Sequence, residues 1–210
     1  MKNILLMILC LSFLCTFGQN TKNEFDGPAW KAPYSLSLEG WSIERFLIPI
    51  DFAPKIAYTG VEDLRFTPGW GNAESDEYWT YAYLWFLDGK PKINNEIIQN
   101  NLILYYDGLV GRNIEKRGIP SEKIIPTKAS INKIKTQVGD LNTFSGKIEM
   151  LDYMQQKPII LNCIIHEKSC ANQNKTFVFF EISPKPFTDN VWKRLNKLWT
   201  DFYCSVSTTE

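Results

Sequence analysis

The sequence predicts an α+β protein with one bent, mainly antiparallel sheet of about six or seven strands and two amphipathic helices packed on one face of that sheet. Segments rich in aromatic and β-branched residues outnumber segments with a helical period. Short polar or glycine-containing connections separate most of these segments, as in antiparallel hairpins. Only two segments repeat apolar residues at helical spacing, and packing both on one face would bury both apolar stripes.

The first three strands are predicted at residues 40–50, 63–66 and 78–87. The second of them ends at a Pro68-Gly69 turn. The third, YWTYAYLWFL, has the strongest β-character in the chain and is apolar on both faces. Such a strand is typical of the centre of a sheet that is covered on both sides along part of its length.

A helical period follows over residues 93–106, where apolar residues recur every three to five positions. Residues 111–128 are a polar loop, and a boundary between two halves of the domain is predicted there. The second half adds four predicted strands and a final helix, at residues 129–138, 142–150, 157–166, 175–182 and 188–203. The halves resemble each other, since TYAYLWFLDGKP and TFVFFEISPKP each precede a helix. Either a duplication with pseudo-two-fold symmetry or two ordinary β–α units would explain this likeness.

The N-terminus predicts export. A lysine precedes an apolar run over residues 4–17, which is shorter than the roughly 20 residues of a membrane-spanning helix. Residues 1–18 are therefore predicted to be a signal peptide cleaved before Gln19, which leaves residues 19–210 as a single periplasmic or extracellular domain. A lipoprotein anchor at Cys15 is the alternative, but large apolar residues precede this cysteine where small ones are usual.

The composition argues against several classes of partner and chemistry. The chain has 23 Lys and Arg against 23 Asp and Glu, so its charge gives no reason to expect nucleic acid or an anionic membrane as partner. No nucleotide- or cofactor-binding motif is present, and no cofactor is expected. His166 is the only histidine, so no intrinsic zinc site is expected either.

Outside the signal peptide, His166 and three cysteines, Cys163, Cys170 and Cys204, are the candidates for catalysis or cross-linking. On an extended strand Cys163 and His166 face opposite sides, which excludes a local dyad, and His166 is expected to be exposed at the strand end. If the strand continues to Cys170, that residue lies about 23 Å from Cys163, far beyond the roughly 7 Å that a disulfide spans. A bond between Cys170 and Cys204, or three free thiols, are the remaining alternatives.

The first candidate site is the acid and arginine pattern of EDLRF at residues 62–66. Asp63 and Arg65 share one strand face, where Arg65 either binds an anionic ligand or forms a structural ion pair with Asp63. Glu62 falls on the apolar side of the alternation and would need a partner if it is buried, for which Arg45 is the expected residue.

The second candidate site is a row of aromatic side chains on one face of the central strand. The row consists of Trp79, Tyr81, Tyr83 and Trp85. It would either form the floor of a ligand groove or serve as core under a second layer. If a ligand site exists, we expect it on this face, with Arg65 and Trp70 at its rim.

The acidic residues are scattered singly or adjacently, and adjacent residues on a strand face opposite ways. The sequence therefore favours an exported, non-enzymatic protein that binds a small molecule, a glycan or an envelope protein. A hydrolase that uses Asp or Glu residues is the alternative. Two carboxylates facing each other across a polar pocket would favour hydrolysis, and an aromatic pocket without them would favour binding.

Residues 41–89 carry a resemblance to a known family. The succession of ERF, FAP, EDLRF, PGW and a Tyr- and Trp-rich strand ending in Asp-Gly is similar to that of a family of exported bacterial proteins, of the kind found in Bacteroidetes. No activity is known for that family. The resemblance therefore implies an exported location and supplies no site residues.

Overall fold

The computed structural model describes residues 25–36, 38–170 and 173–204, and only the backbone of Cys170 and Cys204. The predicted signal peptide at 1–18 and the alternative anchor at Cys15 lie outside the described residues. In the described part of the chain, no helix has the length and apolar character needed to cross a membrane.

One antiparallel sheet of seven strands dominates the fold. In chain order its strands are β2 (Ser42–Ile48), β3 (Gly60–Phe66), β4 (Tyr81–Asp88), β5 (Lys128–Lys133), β6 (Asn142–Asp152), β7 (Lys157–Cys170) and β8 (Lys175–Ser183). Their order across the sheet is β2-β3-β4-β8-β7-β6-β5, and the sheet is not closed. A short ribbon pairs β1 (Tyr34–Ser35) with β9 (Tyr203–Cys204). The helices are α1 (Asn95–Ile114) and α2 (Val191–Thr200). The predicted α+β class and antiparallel sheet are confirmed.

The two helices cover opposite faces of the sheet, so the prediction that both lie on one face is wrong. On the face covered by α1, here the α1 face, Tyr83 of β4 stacks on Tyr105 with ring centroids 5.3 Å apart. On the other, the α2 face, Phe179 of β8 stacks on Trp199 at 5.1 Å. The central strands are apolar on both faces, and each face needs its own cover to keep these side chains from water.

The sheet curves around α1. The helix packs against β4 and also against β6 and β5, which stand three and four strands away from β4, respectively. On a flat sheet, four strand spacings would place β5 about 19 Å from β4, beyond the reach of one helix about 10 Å wide. The curvature brings both ends of the sheet toward α1 and forms the larger of the two cores.

The positions of the two helices show whether the two similar halves of the chain are related by a two-fold axis. The similar strands β4 and β8 are antiparallel neighbours at the centre of the sheet. A two-fold axis that relates two such neighbours is perpendicular to the sheet, so it would place both following helices on the same face. Because α1 and α2 lie on opposite faces, the halves are not related by a simple two-fold axis.

Several element boundaries differ from the predictions. The helix predicted at 93–106 extends to Ile114 and begins after Asn94, whose side chain accepts a hydrogen bond from the Ile97 amide at 2.8 Å. The predicted loop at 111–128 therefore starts later. Strand β7 runs straight through Cys163 to Cys170, which excludes a disulfide between them, and the Cys163 thiol is buried and free. The side chains of Cys170 and Cys204, which the other pairing requires, are outside the described set.

Candidate ligand-binding pocket

Most of the predicted aromatic row is core. Tyr83 has no exposed surface, and its ring lies between those of Tyr105 and Phe180 at 5.3 and 4.3 Å. The side chains of Tyr81 and Trp85 are also buried in the α1 face. The continuous open groove expected on this face is not present, because α1 occupies the space that such a groove would need.

Arg65 is not at the rim of this face. It is buried on the α2 face, where its guanidinium pairs with Asp63 and donates a hydrogen bond to the Leu36 carbonyl at 2.9 Å. Asp63 also accepts hydrogen bonds from the Tyr34 hydroxyl at 2.9 Å and from Arg45 Nε at 3.1 Å. This network joins the segment before β2 to the sheet, so Arg65 has the structural role that was the alternative to anion binding.

Three of the predicted residues, Trp70, Trp79 and Tyr81, do meet at a pocket of about 110 Å³, here called the aromatic pocket. It lies on the α1 face, between α1 and the β2–β3 side of the sheet. Its full lining is Glu44, Phe46, Phe52, Leu64, Phe66, Trp70, Trp79, Tyr81, Tyr105, Leu109, Arg112 and Tyr153. Aromatic rings thus form most of the wall, and the two charged side chains, Glu44 and Arg112, are exposed at its mouth.

Trp79 differs from the other residues of this wall in its backbone conformation. It precedes β4 with a φ of 54°, in the left-handed region that bulky residues rarely adopt, and its amide donates to the Trp70 carbonyl at 2.9 Å. Its side chain is 1 % exposed. The indole N–H lies near the Tyr78 hydroxyl without forming a hydrogen bond of normal geometry to it or to any other described residue. A buried donor without a well-formed hydrogen bond is costly.

Two arginines lie near Tyr153 at the pocket: Arg112, which is on α1, and Arg117, which follows the end of α1. The Arg117 guanidinium lies 5.0 Å from the centre of the Tyr153 ring. Burial raises the pKa of Tyr153 to about 12, although the charges of Arg117 and Arg112 oppose the rise. Like any tyrosine hydroxyl at neutral pH, that of Tyr153 is protonated and can donate a hydrogen bond. Arg112 itself lies over the Phe52 ring at 5.1 Å and is 3.5 Å from Asp51, in an ion pair open to solvent.

Glu62 is buried on the α1 face but does not line the aromatic pocket. One of its oxygens accepts a hydrogen bond from Trp85 Nε1 at 3.2 Å, and the Tyr105 hydroxyl is a second hydrogen-bonding group beside the carboxyl. Burial raises its pKa to about 8, so the carboxyl is mostly protonated at neutral pH. The expected pairing with Arg45 is wrong, since Arg45 pairs with Asp63.

His166 belongs to a second polar group, the His166 cluster, formed with Asp140 and Glu181. The expectation that His166 is exposed is wrong: it has no exposed surface. Its Nδ1 is 2.7 Å from Asp140 Oδ2 and its Nε2 is 3.3 Å from Glu181 Oε1. Burial lowers the pKa of His166, but these two hydrogen bonds and the neighbouring carboxylates raise it above its usual value. The cluster is enclosed under α2, where Trp199 stacks on the imidazole at 5.3 Å.

The face of each of these residues follows the strand alternation. Cys163 lies in the core of the α1 face and His166 lies under α2, so the prediction that they face opposite ways is confirmed. Within the described ranges, no group of three or more His, Cys, Asp or Glu residues is placed to hold a metal ion.

Sequence reasoning missed the parts of the pocket that come from distant segments. Phe52 precedes β3, Leu109 and Arg112 are on α1, and Tyr153 follows β6. Each is unremarkable in its own segment, and no motif joins them. The only available signal was local: Trp70 and Trp79 flank one turn and were predicted together.

The fold and the pocket define a class: an α+β protein with a curved antiparallel sheet and a small aromatic pocket between that sheet and its longer helix. Comparison with known proteins does not narrow this class, because no family model, curated protein or solved structure matches the chain.

Proposed function

We propose that this is an exported, non-enzymatic binding protein that holds a small molecule in the aromatic pocket. The observation that carries the proposal is the aromatic pocket itself, whose wall is formed mostly by aromatic side chains and includes the buried ring of Trp79. Pockets with apolar aromatic walls and a few polar groups are the usual form of small-ligand sites. Export is supported by the apolar run and cleavage pattern of residues 1–18.

The carboxylates favour binding over hydrolysis. A glycosidase-type site places two carboxyl groups about 5–10 Å apart on either side of the bond to be cleaved. The aromatic pocket has a single carboxylate, Glu44, at its mouth. Glu62 has a raised pKa, but it is enclosed beside Trp85 and does not reach the pocket.

The volume of the pocket favours a small molecule over a glycan or a protein partner. A cavity of about 150 Å³ takes one benzene molecule. The aromatic pocket, at about 110 Å³, is smaller, so a whole sugar ring would not fit inside it. Its ligand should therefore be compact and apolar, at least in the part that enters.

The proposal can be tested by filling the aromatic pocket with a larger side chain. Leu109→Trp places a large ring in the aromatic pocket, and Leu104→Trp adds the same ring to a separate depression on α1 beside Gly108. A library of small fragments would be screened by ligand-observed NMR against the wild type and both variants. We expect fragments that bind the wild type and Leu104→Trp but not Leu109→Trp, with circular dichroism showing that both variants are folded. Fragments that bind all three proteins equally, or none that bind the wild type, would refute the proposal.

A further inference from the structure

The α2 face of the sheet has an open depression of about 370 Å³, here called the polar depression. Helix α2 packs over β8 and the adjoining part of β7, whereas the depression lies beyond the helix, on β5 and β6. It is therefore separate from the aromatic pocket, which lies on the α1 face.

The floor of the polar depression is formed by four polar side chains on two neighbouring strands. Ile131 of β5 and Ile148 of β6 belong to the core of the α1 face, so the residues beside them on each strand point to the α2 face. Opposite side chains of an antiparallel pair are about 5 Å apart, and next-but-one residues of a strand about 7 Å, so the four can reach one bound ring. The register pairs them across β5 and β6: Ser130 with Lys147, and Asn132 with Ser145.

The polar groups of this floor are free to bind a ligand. None of the four side chains forms a hydrogen bond or an ion pair with another described residue. Serine hydroxyls and the asparagine amide both donate and accept hydrogen bonds, as sugar hydroxyls do. Among the described residues that line the depression, Lys147 is the one that carries a charge. Glu149, the next residue of β6 on this face, is opposite Lys128 and does not line the depression. A ligand with several hydroxyl groups and one negative charge would complement this lining.

One wall of the polar depression is an aromatic ring on a connection that is fixed to the sheet. Phe187 lies between β8 and α2 and is 45 % exposed. The nearby Lys185 carbonyl accepts hydrogen bonds from Asn162 Nδ2 at 3.0 Å and from Trp192 Nε1 at 3.2 Å. The Phe187 ring packs on that of Trp192, with ring centroids 4.7 Å apart. An exposed ring held beside polar groups offers an apolar surface to one side of a ligand.

We infer that the polar depression binds one sugar residue that carries a carboxylate, such as a hexuronate. A sugar ring combines hydroxyl groups for the floor with an apolar C–H face for Phe187, and the carboxylate complements Lys147. A cavity of about 150 Å³ takes one benzene molecule, so about 370 Å³ leaves room for a ring together with its substituents. This site goes beyond the proposed function and does not depend on it.

The test compares matched acidic and neutral sugars: the methyl glycosides of D-glucuronate and D-glucose, and those of D-galacturonate and D-galactose. Binding is followed through the backbone amide resonances and the Asn132 side-chain resonances of ¹⁵N-labelled protein. Acetate serves as a carboxylate without a sugar ring. We expect at least one of the acidic sugars to shift resonances of β5 and β6, its neutral counterpart to bind about threefold more weakly, and acetate to cause no shift there.

Two variants separate the charge from the ring. Lys147→Gln should remove the advantage of the acidic sugar and leave the neutral sugar unchanged, because only the carboxylate uses the ammonium charge. Lys90→Gln is the matched control, since Lys90 is exposed between β4 and α1 and should alter neither affinity. Phe187→Ala should weaken both sugars about tenfold, with circular dichroism showing that the variant is folded.

Four results would overturn the inference: no shift of β5 or β6 resonances with any sugar, equal affinities for the acidic and the neutral sugar, the same shifts with acetate, or no effect of Lys147→Gln. Leu109→Trp fills the aromatic pocket and should leave sugar binding unchanged. Loss of sugar binding in that variant would place the sugar in the aromatic pocket, which would overturn this inference and leave the proposed function standing.

Discussion

Glu62 and His166 show how single ionisable residues are accommodated inside an apolar sheet. Each is fully buried, Glu62 on the α1 face and His166 on the α2 face. Glu62 is buried as the neutral, protonated acid at neutral pH, since burial raises its pKa to about 8. His166 adapts in the opposite way, because Asp140 and Glu181 favour its charged form. In both cases the folded protein binds a proton more tightly than the unfolded chain does.

The pKa of Glu62 predicts a loss of stability with rising pH. Its folded pKa of about 8 lies above the ordinary value of 4.5, so its contribution is fully present below about pH 4.5 and is lost as the pH rises through 8. At about 1.4 kcal/mol for each pH unit of difference, the loss amounts to about 3–5 kcal/mol. Glu62→Gln keeps a neutral side chain at all pH values, so we expect it to unfold at higher urea concentration than the wild type at pH 9.

Urea unfolding of both proteins at pH 5, 7 and 9 would check this expectation. Glu122→Gln is the matched control, since Glu122 is exposed in a short 3₁₀ turn and should leave the wild-type pH dependence unchanged. A Glu62→Gln variant that loses stability between pH 5 and 9 as steeply as the wild type would contradict the assignment.

His166 predicts a second effect, which depends on its two carboxylate partners. His166→Leu should destabilise the protein by about 3–5 kcal/mol at pH 6.5, because Asp140 and Glu181 would remain buried without a cation. The folded pKa of His166 is raised, so its stabilising contribution is complete below about pH 6.5 and is lost as the pH rises through that raised value. The gap between variant and wild type should therefore narrow on the alkaline side.

The double variant His166→Leu, Glu181→Gln separates charge from packing. If the uncompensated charge of Glu181 causes the loss, the double variant should recover part of the stability in urea or thermal unfolding. Equal stability of the single and double variants would indicate that the imidazole matters only through its stacking on Trp199.

At the scale of an element, α1 is held close to the segment between β2 and β3. Its Gly108 lies so near the Phe52 carbonyl that an added Cβ would stand 1.9 Å from that oxygen. One turn later, Gly111 has no atom within 4 Å of the same position. The close approach at Gly108 also brings Phe52 to the aromatic pocket. Gly108 is therefore required by the close approach of the Phe52 backbone, whereas no neighbouring atom requires a glycine at position 111.

Alanine substitutions at these glycines should act in opposite directions. Gly108→Ala should destabilise the protein by about 1–3 kcal/mol, because the new methyl group forces α1 away from rigid backbone. Gly111→Ala should stabilise it by about 0.5–1 kcal/mol, because alanine has the higher helix propensity. Thermal unfolding of the two variants would measure both effects. A similar change in both would mean that α1 does not press on residue 52.

At the scale of the whole molecule, the two edges of the sheet differ. Strand β5 closes one edge with an exposed lysine at each end, Lys128 and Lys133. Strand β2 forms the other edge and exposes three apolar side chains, Ile43, Phe46 and Leu47. Charged side chains, lysine above all, are a common means of preventing sheet edges from pairing with other chains. Strand β2 contains no lysine, and Glu44 is its one exposed charged side chain.

This difference predicts association through β2. Leu47→Lys should lower the fraction of protein that associates at high concentration, as measured by sedimentation velocity over a concentration series. Val138→Lys is the control: Val138 is 98 % exposed but lies in a loop, so the same charge change there should have no effect. If both variants reduce association equally, net charge and not the sheet edge is responsible.

The sequence by itself determined the elements. The aromatic and β-branched runs of the β4 and β8 segments and the helical spacing of residues 93–106 and 188–203 are local patterns, so they predicted the α+β class and the antiparallel sheet. Alternation also predicted that Asp63 and Arg65 share a strand face, where the structure pairs them, and that Cys163 and His166 face opposite sides.

Only the tertiary structure decided which face each helix covers, because the periodicity of a helix shows that it has an apolar stripe but not which sheet surface the stripe meets. That choice turned most of the expected groove into core and enclosed His166 under α2. It also formed the aromatic pocket, whose walls come from segments as distant as Phe46 and Tyr153. A pocket of this kind is a space between elements, and it exists only once the curvature of the sheet and the position of α1 are set.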